Sequence, residues 1–329
     1  MDVFWYSLVG VLLAGYLALE SIDFGVGMLL PFSGDEASRA RMRRLVVPLF
    51  LANEVWLVAC VGLLFGALPV LEGALLQALR LPVLALVCAW LLRDAALWFR
   101  QAHPGSGWRR VWDTVLPVSS LVLAAGWGAV LGAMVRGLST RAGGHPVADP
   151  IDLVHPLPLV CAALAVAACL GQGALFAARG LPADGTAARR AARLNRVASP
   201  VVLGLLVLVG GVAAAVVDAP ARVVAAAGGA GLCVAGSILL ARAGRATPAL
   251  VLGSAPLWAL PLLVGVAHGT TVLATRSGAG DLTLGEAVAD GESLWLLSVT
   301  VLPVLVAVVV VQWWFWRVFA RVRPAVAAA

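Results

Sequence analysis

Charge is what this sequence has least of: 12% of its 329 residues are Asp, Glu, Lys or Arg, where an ordinary soluble domain carries about 25%. Lysine is missing altogether, and all 23 basic residues are arginine. So little charge excludes a chain built to fold in water. With 62% hydrophobic residues and a mean hydropathy of +0.99, lipid is the solvent for most of it. The five cysteines, Cys60, Cys88, Cys161, Cys169 and Cys233, stand singly in apolar stretches without C-x-x-C spacing. They read as small buried hydrophobes rather than a metal or redox motif. Strand-like alternation is also lacking. Val201 to Val217 is continuously apolar with no period of two, which excludes a membrane β-barrel.

What is present is long apolar runs. At about 20 residues per span they predict nine helices near 4–30, 45–70, 74–98, 112–135, 154–178, 198–217, 222–241, 248–268 and 294–319. The expected fold is all-α, a polytopic membrane helical bundle forming one domain over residues 1–329. The first span has no basic n-region, is too long for a signal h-region and is not followed by an A-x-A-like site, so it reads as retained. Leu71 to Gly73 reads as a tight outer turn, and the longer loops follow spans 4 and 8.

The arginines speak of topology rather than of nucleic acid. Seventeen lie on one side: Arg39, Arg41, Arg43, Arg44, Arg100, Arg109, Arg110, Arg179, Arg189, Arg190, Arg193, Arg196, Arg242, Arg245, Arg317, Arg321 and Arg323. Four, Arg136, Arg141, Arg222 and Arg276, lie on the other, and Arg80 and Arg93 fall inside span 3. The positive-inside rule then predicts the N-terminus outside and the C-terminus in the cytoplasm. The Ala-rich run from Ala183 to Ala192 admits either an interfacial helix or a solvated basic loop. Gly128-x-x-x-Gly132 and Gly171-x-Gly173 read as helix-packing sites. The closing Gln312-Trp313-Trp314-Phe315-Trp316-Arg317 reads as an interfacial anchor.

A carboxylate at bilayer depth is costly unless paired, hydrated or protonated, so each one is a functional candidate. Glu20 and Asp23 are three residues apart on one helical face, followed by Gly25 and Gly27, which permit a close helix approach. At ~1.5 Å per residue, Asn53 and Glu54 lie about 14 Å into span 2 from its cytoplasmic end, and Glu20 about 15 Å from the same side. Acids so placed can hold and pass protons, which predicts a proton path through Glu20, Asp23, Asn53 and Glu54. The alternative is that they neutralise Arg80 or Arg93, and the two roles are compatible. For Arg93-Asp94, snorkelling or a local pair suffices. A haem or metal needs His, Met or Cys at matched depth, but His103, His145 and His155 fall in loops or at a span edge and His268 at an outer end. No metal site, no catalytic residue and no haem ligated by this chain alone is therefore expected.

These residues carry a resemblance. LVGVLLAGYLALESIDFGVGMLLPF, residues 8–32, resembles the first helix of subunit II of the bd-type quinol oxidases, with its paired acids and G-x-G. Asn53-Glu54-Val55-Trp56 is similar to that family's W-D-G-N-[QE]-V-W. Arg93, Trp108-Arg109, Trp112-Asp113, Gln172-Gly173-Ala174, Leu282-Thr283-Leu284 and the last span, with Leu302-Pro303, Trp313, Trp316 and Phe319, continue the match in order.

The resemblance implies a multi-pass protein of the bacterial cytoplasmic membrane, paired with a subunit I that holds haem b and haem d. The pair would oxidise quinol and reduce oxygen to water, with room for a small accessory subunit. This chain would be the haem-free scaffold, in contact with membrane lipid, with Glu20, Asp23, Asn53 and Glu54 on a proton path or at the subunit interface. One departure stands out: where the family has W-D-G, this sequence reads Phe50-Leu51-Ala52, and Leu51 cannot carry a proton. The other functions weighed are an ion-coupled secondary transporter, for which Pro256 and Pro261 are the one interrupted span in view, and a structural subunit of a repurposed complex.

Overall fold

The computed structural model describes residues 1–103, 105–141, 145–182 and 185–328, with the side chains of residues 319–328 left aside. Arg321, Arg323 and Phe319 thus fall outside the described side chains. The helices in chain order are α1 (Asp2–Leu29), α2 (Glu36–Val46), α3 (Phe50–Ala67), α4 (Pro69–Ala78), α5 (Arg80–Phe99), α6 (Ser106–Arg136), α7 (Pro150–Leu153), α8 (Pro156–Gly180), α9 (Thr186–Ala214), α10 (Pro220–Arg242), α11 (Ala246–Gly253), α12 (Ala255–Ala267), α13 (Leu284–Ala287) and α14 (Gly291–Ala328). Among the described residues nine segments are long and apolar enough to cross a membrane: α1, α3, α5, α6, α8, α9, α10, the α11–α12 pair and α14. The bundle of nine spans expected from composition is the observed architecture.

Boundaries differ where local chemistry overrides hydropathy. Leu71 to Gly73 is helical rather than a tight turn. Leu68 leaves the helical region, Pro69 opens α4, and α5 begins only at Arg80. Arg80 is therefore an exposed residue at the start of α5 and not inside a span. Span 2 begins at Phe50 and not near residue 45, because α2 intervenes. Asp35 caps α2, accepting from the Ser38 amide at 2.7 Å. From Thr186 onward the basic run after span 5 is helix rather than loop, forming the first turns of α9, which continues through span 6; Ala183 and Asp184 lie outside the described residues. Span 8 is broken at Ser254, where Pro256 has no amide to extend the ladder. Polar neighbours take the loosened carbonyls. Gln172 donates to Leu250 O (2.8 Å), Ser237 to Ala249 O (2.6 Å) and Ser254 Oγ to Val251 O (2.8 Å).

At the centre α8 packs against α1, α6 and α9. Here glycines set the distance: a Cβ on Gly25 would strike the Cys169 carbonyl, one on Gly173 the backbone of Gly25 and Val26, and one on Gly128 the Cys161 carbonyl. On the arginine-rich side, Glu36 of α2 accepts from Arg43 (3.1 Å) and Arg100 (2.8 Å), and Arg100 also meets Asp113 of α6 at 2.5 Å. Burial opposes the Glu36 carboxylate, but hydrogen bonds and charge from Arg100 and Arg43 outweigh it and hold its pKa below the usual range. On the opposite side, the buried Asp152 pairs with Arg136 (3.4 Å) and Arg276 (2.8 Å). Two short hairpin pairs lie there, β1 (Ser139–Thr140) with β2 (Pro146–Val147) and β3 (Thr271–Leu273) with β4 (Leu282–Thr283).

Candidate functional site

Three helices that enter or leave on the arginine-rich side bring the intramembrane charges together. α1 carries Glu20 and Asp23 on the face turned to the bundle, α3 carries Asn53 and Glu54, and α5 brings Arg93 between them. Arg93 is fully buried, with its guanidinium carbon 5.2 Å from the Phe24 ring centroid and 5.9 Å from that of Phe50. Aromatic faces suit a planar, weakly hydrated cation, and this is why arginine rather than lysine fits such a place.

The two terminal nitrogens of Arg93 divide four carboxyl groups between them. Nη2 lies 2.9 Å from Glu20 Oε2 and 3.9 Å from Asp23 Oδ2. Nη1 lies 3.5 Å from Glu54 Oε1 and 3.3 Å from Asp94 Oδ1. Asn53 donates to Asp23 Oδ2 at 2.9 Å, and the Gln312 amide of α14 meets Asn53 Oδ1 at 3.3 Å. Trp90, one turn before Arg93, donates its indole N–H to Glu54 Oε1 at 2.8 Å. Neither oxygen of Glu20, nor Asp23 Oδ1, has a hydrogen-bond donor among the described residues. One guanidinium cannot neutralise four carboxylates, and unpaired charge at this depth is too costly to persist.

Of the residues singled out in the sequence, Glu20, Asp23, Asn53, Glu54 and Arg93 form this single cluster. Arg80 does not join it: it is exposed at the far end of α5 and has no ion pair among the described residues. Glu54 is also shallower than expected, four residues past the start of α3 rather than well inside a span. The local pair expected of Arg93-Asp94 is present at 3.3 Å, but sequence reading missed that Asp94 shares Arg93 with the other acids, and it missed Trp90. Their signal was the spacing Trp90, Arg93, Asp94, which places an indole donor, a cation and an acid on adjoining faces of one helix.

The histidines are placed for other work. His103 and His145 are exposed, His155 caps α8, and a ring nitrogen of His268 meets the Val135 carbonyl at 2.8 Å. Among the described residues no group of three or more His, Cys, Asp or Glu side chains is arranged to hold a metal ion.

Comparison with known proteins places this geometry. The family described as cytochrome bd terminal oxidase subunit II matches residues 1–319. Cytochrome bd ubiquinol oxidase subunit 2 of Bacillus subtilis (strain 168) is 30% identical over 173 residues, 52% of this chain and 51% of that protein. Cytochrome bd-I ubiquinol oxidase subunit 2 of Escherichia coli (strain K12) is 27% identical over 177 residues, 52% of this chain and 47% of that protein. The chain thus spans about half the length of the curated relatives it matches. The solved structure of bd oxidase from Geobacillus thermodenitrificans contains a chain that superposes with a TM-score of 0.78, covering 97% of this chain and 98% of that one at 19% identity, a likeness of fold.

Proposed function

The chain belongs to the cytochrome bd terminal oxidase subunit II family, and from that premise we propose that it is the haem-free subunit of a quinol-oxidising, oxygen-reducing complex, scaffolding the haem subunit and passing it protons. As a bd-type oxidase subunit it is a multi-pass membrane member of an oxidoreductase complex. The haems b and d, held by the partner subunit, supply the electron transfer and oxygen chemistry. Reduction of oxygen to water consumes a proton for every electron, so a subunit with a buried acid cluster has a direct task in it.

One observation carries the reading: a fully buried guanidinium holds four carboxyl groups at bilayer depth, with more acid than it can neutralise. Such a cluster binds a proton without a large change in geometry, because Arg93 stays in contact with whichever carboxylate remains ionised. The arginine-rich side faces the cytoplasm in this reading, so protons come from there and the N-terminus is outside. The membrane is the bacterial cytoplasmic one.

The test is to purify the tagged chain from its native host in mild detergent and record a reduced-minus-oxidised visible spectrum, then repeat with Glu20→Gln and Glu54→Gln. Co-purifying b- and d-type bands are expected, with quinol oxidase turnover in the intact variants lowered by about ten-fold or more, the scale of a lost proton-transfer group. A colourless preparation removes the oxidase partnership. Wild-type turnover in both variants removes the proton path and leaves a structural subunit.

A further inference from the structure

We propose that Asp94 is the most exposed carboxyl of this cluster and the group that first takes up protons and hands them inward. The inference rests on the proton-path reading above and adds to it a direction and a first residue.

Four observations on the page support it. First, exposure falls in order across the cluster: the Asp94 side chain is 23% exposed, that of Glu54 11%, Asp23 1% and Glu20 0%. Second, depth sets Glu54 and Asp94 together on the outer side of Asp23 and Glu20. Glu54 is four residues from the start of α3 and Asp94 five from the end of α5, while Asp23 and Glu20 are six and nine from the end of α1. At ~1.5 Å per residue these are about 6, 8, 9 and 14 Å from the arginine-rich ends of their helices. Third, Arg93 is shared accordingly: Nη1 serves the outer pair, Asp94 and Glu54, and Nη2 the inner pair, Asp23 and Glu20. Asp94 Oδ1 and Glu54 Oε1 meet that one nitrogen, Nη1, at 3.3 and 3.5 Å. Fourth, Leu51 is 56% exposed on α3, one turn before Glu54, so an acid placed there would share the outer rim with Asp94.

The bland alternative is that Asp94 only screens Arg93. Arg93 already has Glu20 at 2.9 Å and Glu54 at 3.5 Å, so it needs no further counter-charge for stability. An additional acid, mostly covered within an apolar helix, adds desolvation cost unless it faces water and is used. The transfer balances simply. An O–H bond forms at an ionised Asp94 oxygen as one breaks in a hydronium ion or water on the arginine-rich side. The proton then moves to ionised Glu54, which restores the Asp94 carboxylate, while Arg93 keeps its own protons throughout.

The experiment uses the assembled oxidase complex and compares Asp94→Asn, Glu20→Gln and the double variant Asp94→Asn with Leu51→Asp, reading turnover against pH and the solvent isotope ratio in heavy water. Expected for Asp94→Asn are unchanged haem bands, turnover lowered by about ten-fold, a steeper fall toward alkaline pH, and a larger isotope ratio as proton delivery becomes limiting. Leu51→Asp in that background should recover most of the loss. Asp94→Asn with wild-type turnover and isotope ratio, beside a slow Glu20→Gln, overturns the role of Asp94 and leaves the proton path standing. Wild-type behaviour in both single variants overturns the path and this proposal together. Should Asp94→Asn fail to assemble, the double variant decides: assembled and fast supports the relay, assembled and as slow as Glu20→Gln overturns it.

Discussion

Arg93 holds its place by two kinds of contact that no other residue type supplies together: a fork wide enough to reach two pairs of acids, and a flat face against Phe24 and Phe50. Replacing it with Leu removes the counter-charge from Glu20 and Asp23, whose side chains are buried. Breaking a buried pair in this way costs about 3–5 kcal/mol. Arg93→Leu should therefore lower the midpoint of heat-induced aggregation in detergent, followed by fluorescence-detected size exclusion, and most of the loss should return when Glu20→Gln is added. Arg93→Lys should recover little, because one ammonium cannot span both pairs. Full stability in Arg93→Lys would mean that the fork is not what matters. The sequence made Arg93, Glu20 and Glu54 visible, since a charge in an apolar run stands out. It showed Asp94 only as a local partner of Arg93, for a physical reason: adjacent residues on a helix point about 100° apart, so whether Asp94 also joins the other acids depends on where α3 packs.

At the scale of elements, the apolar runs announced which segments cross the membrane, because hydropathy measures the transfer that fixes them. Their ends are set by other forces. Asp35 capping α2, Leu68-Pro69 dividing α3 from α4, and Pro256 dividing α11 from α12 are local backbone events within stretches of nearly uniform hydropathy. The pairing of helices is less legible still. Gly25 and Gly173 are 148 positions apart in the chain, and nothing short of the fold shows that each occupies the space where the other's Cβ would go. Gly25→Ala and Gly173→Ala should each force α1 and α8 apart and cost about 1–3 kcal/mol or more, as overpacking does. Gly10→Ala and Gly211→Ala, with open space around them, should be neutral or slightly stabilising. Thermal midpoints of the four variants in one detergent check this, and equal midpoints for Gly25→Ala and Gly10→Ala would deny the close crossing.

For the whole molecule the charge distribution and the site point the same way. The helix ends nearest the acid cluster, at Leu29, Phe50 and Phe99, lie on the side that carries Arg39 to Arg44, Arg100, Arg109 and Arg110. Placing Arg80 at the start of α5 moves it to the opposite side and leaves the asymmetry intact. If that side is cytoplasmic, as proposed, the acids draw protons from the cytoplasm and α1 starts outside. Labelling decides this directly. Ser277 and Ser106 are both exposed, on the arginine-poor and arginine-rich sides respectively. The native cysteines give little background, since Cys60, Cys161 and Cys169 are buried and Cys88 and Cys233 lie mid-helix on apolar spans, where a charged reagent does not go. A membrane-impermeant maleimide added to intact cells should modify Ser277→Cys and spare Ser106→Cys until the cells are lysed. The reverse pattern would put the acid cluster on the external side, and the proton path would then have to start from there.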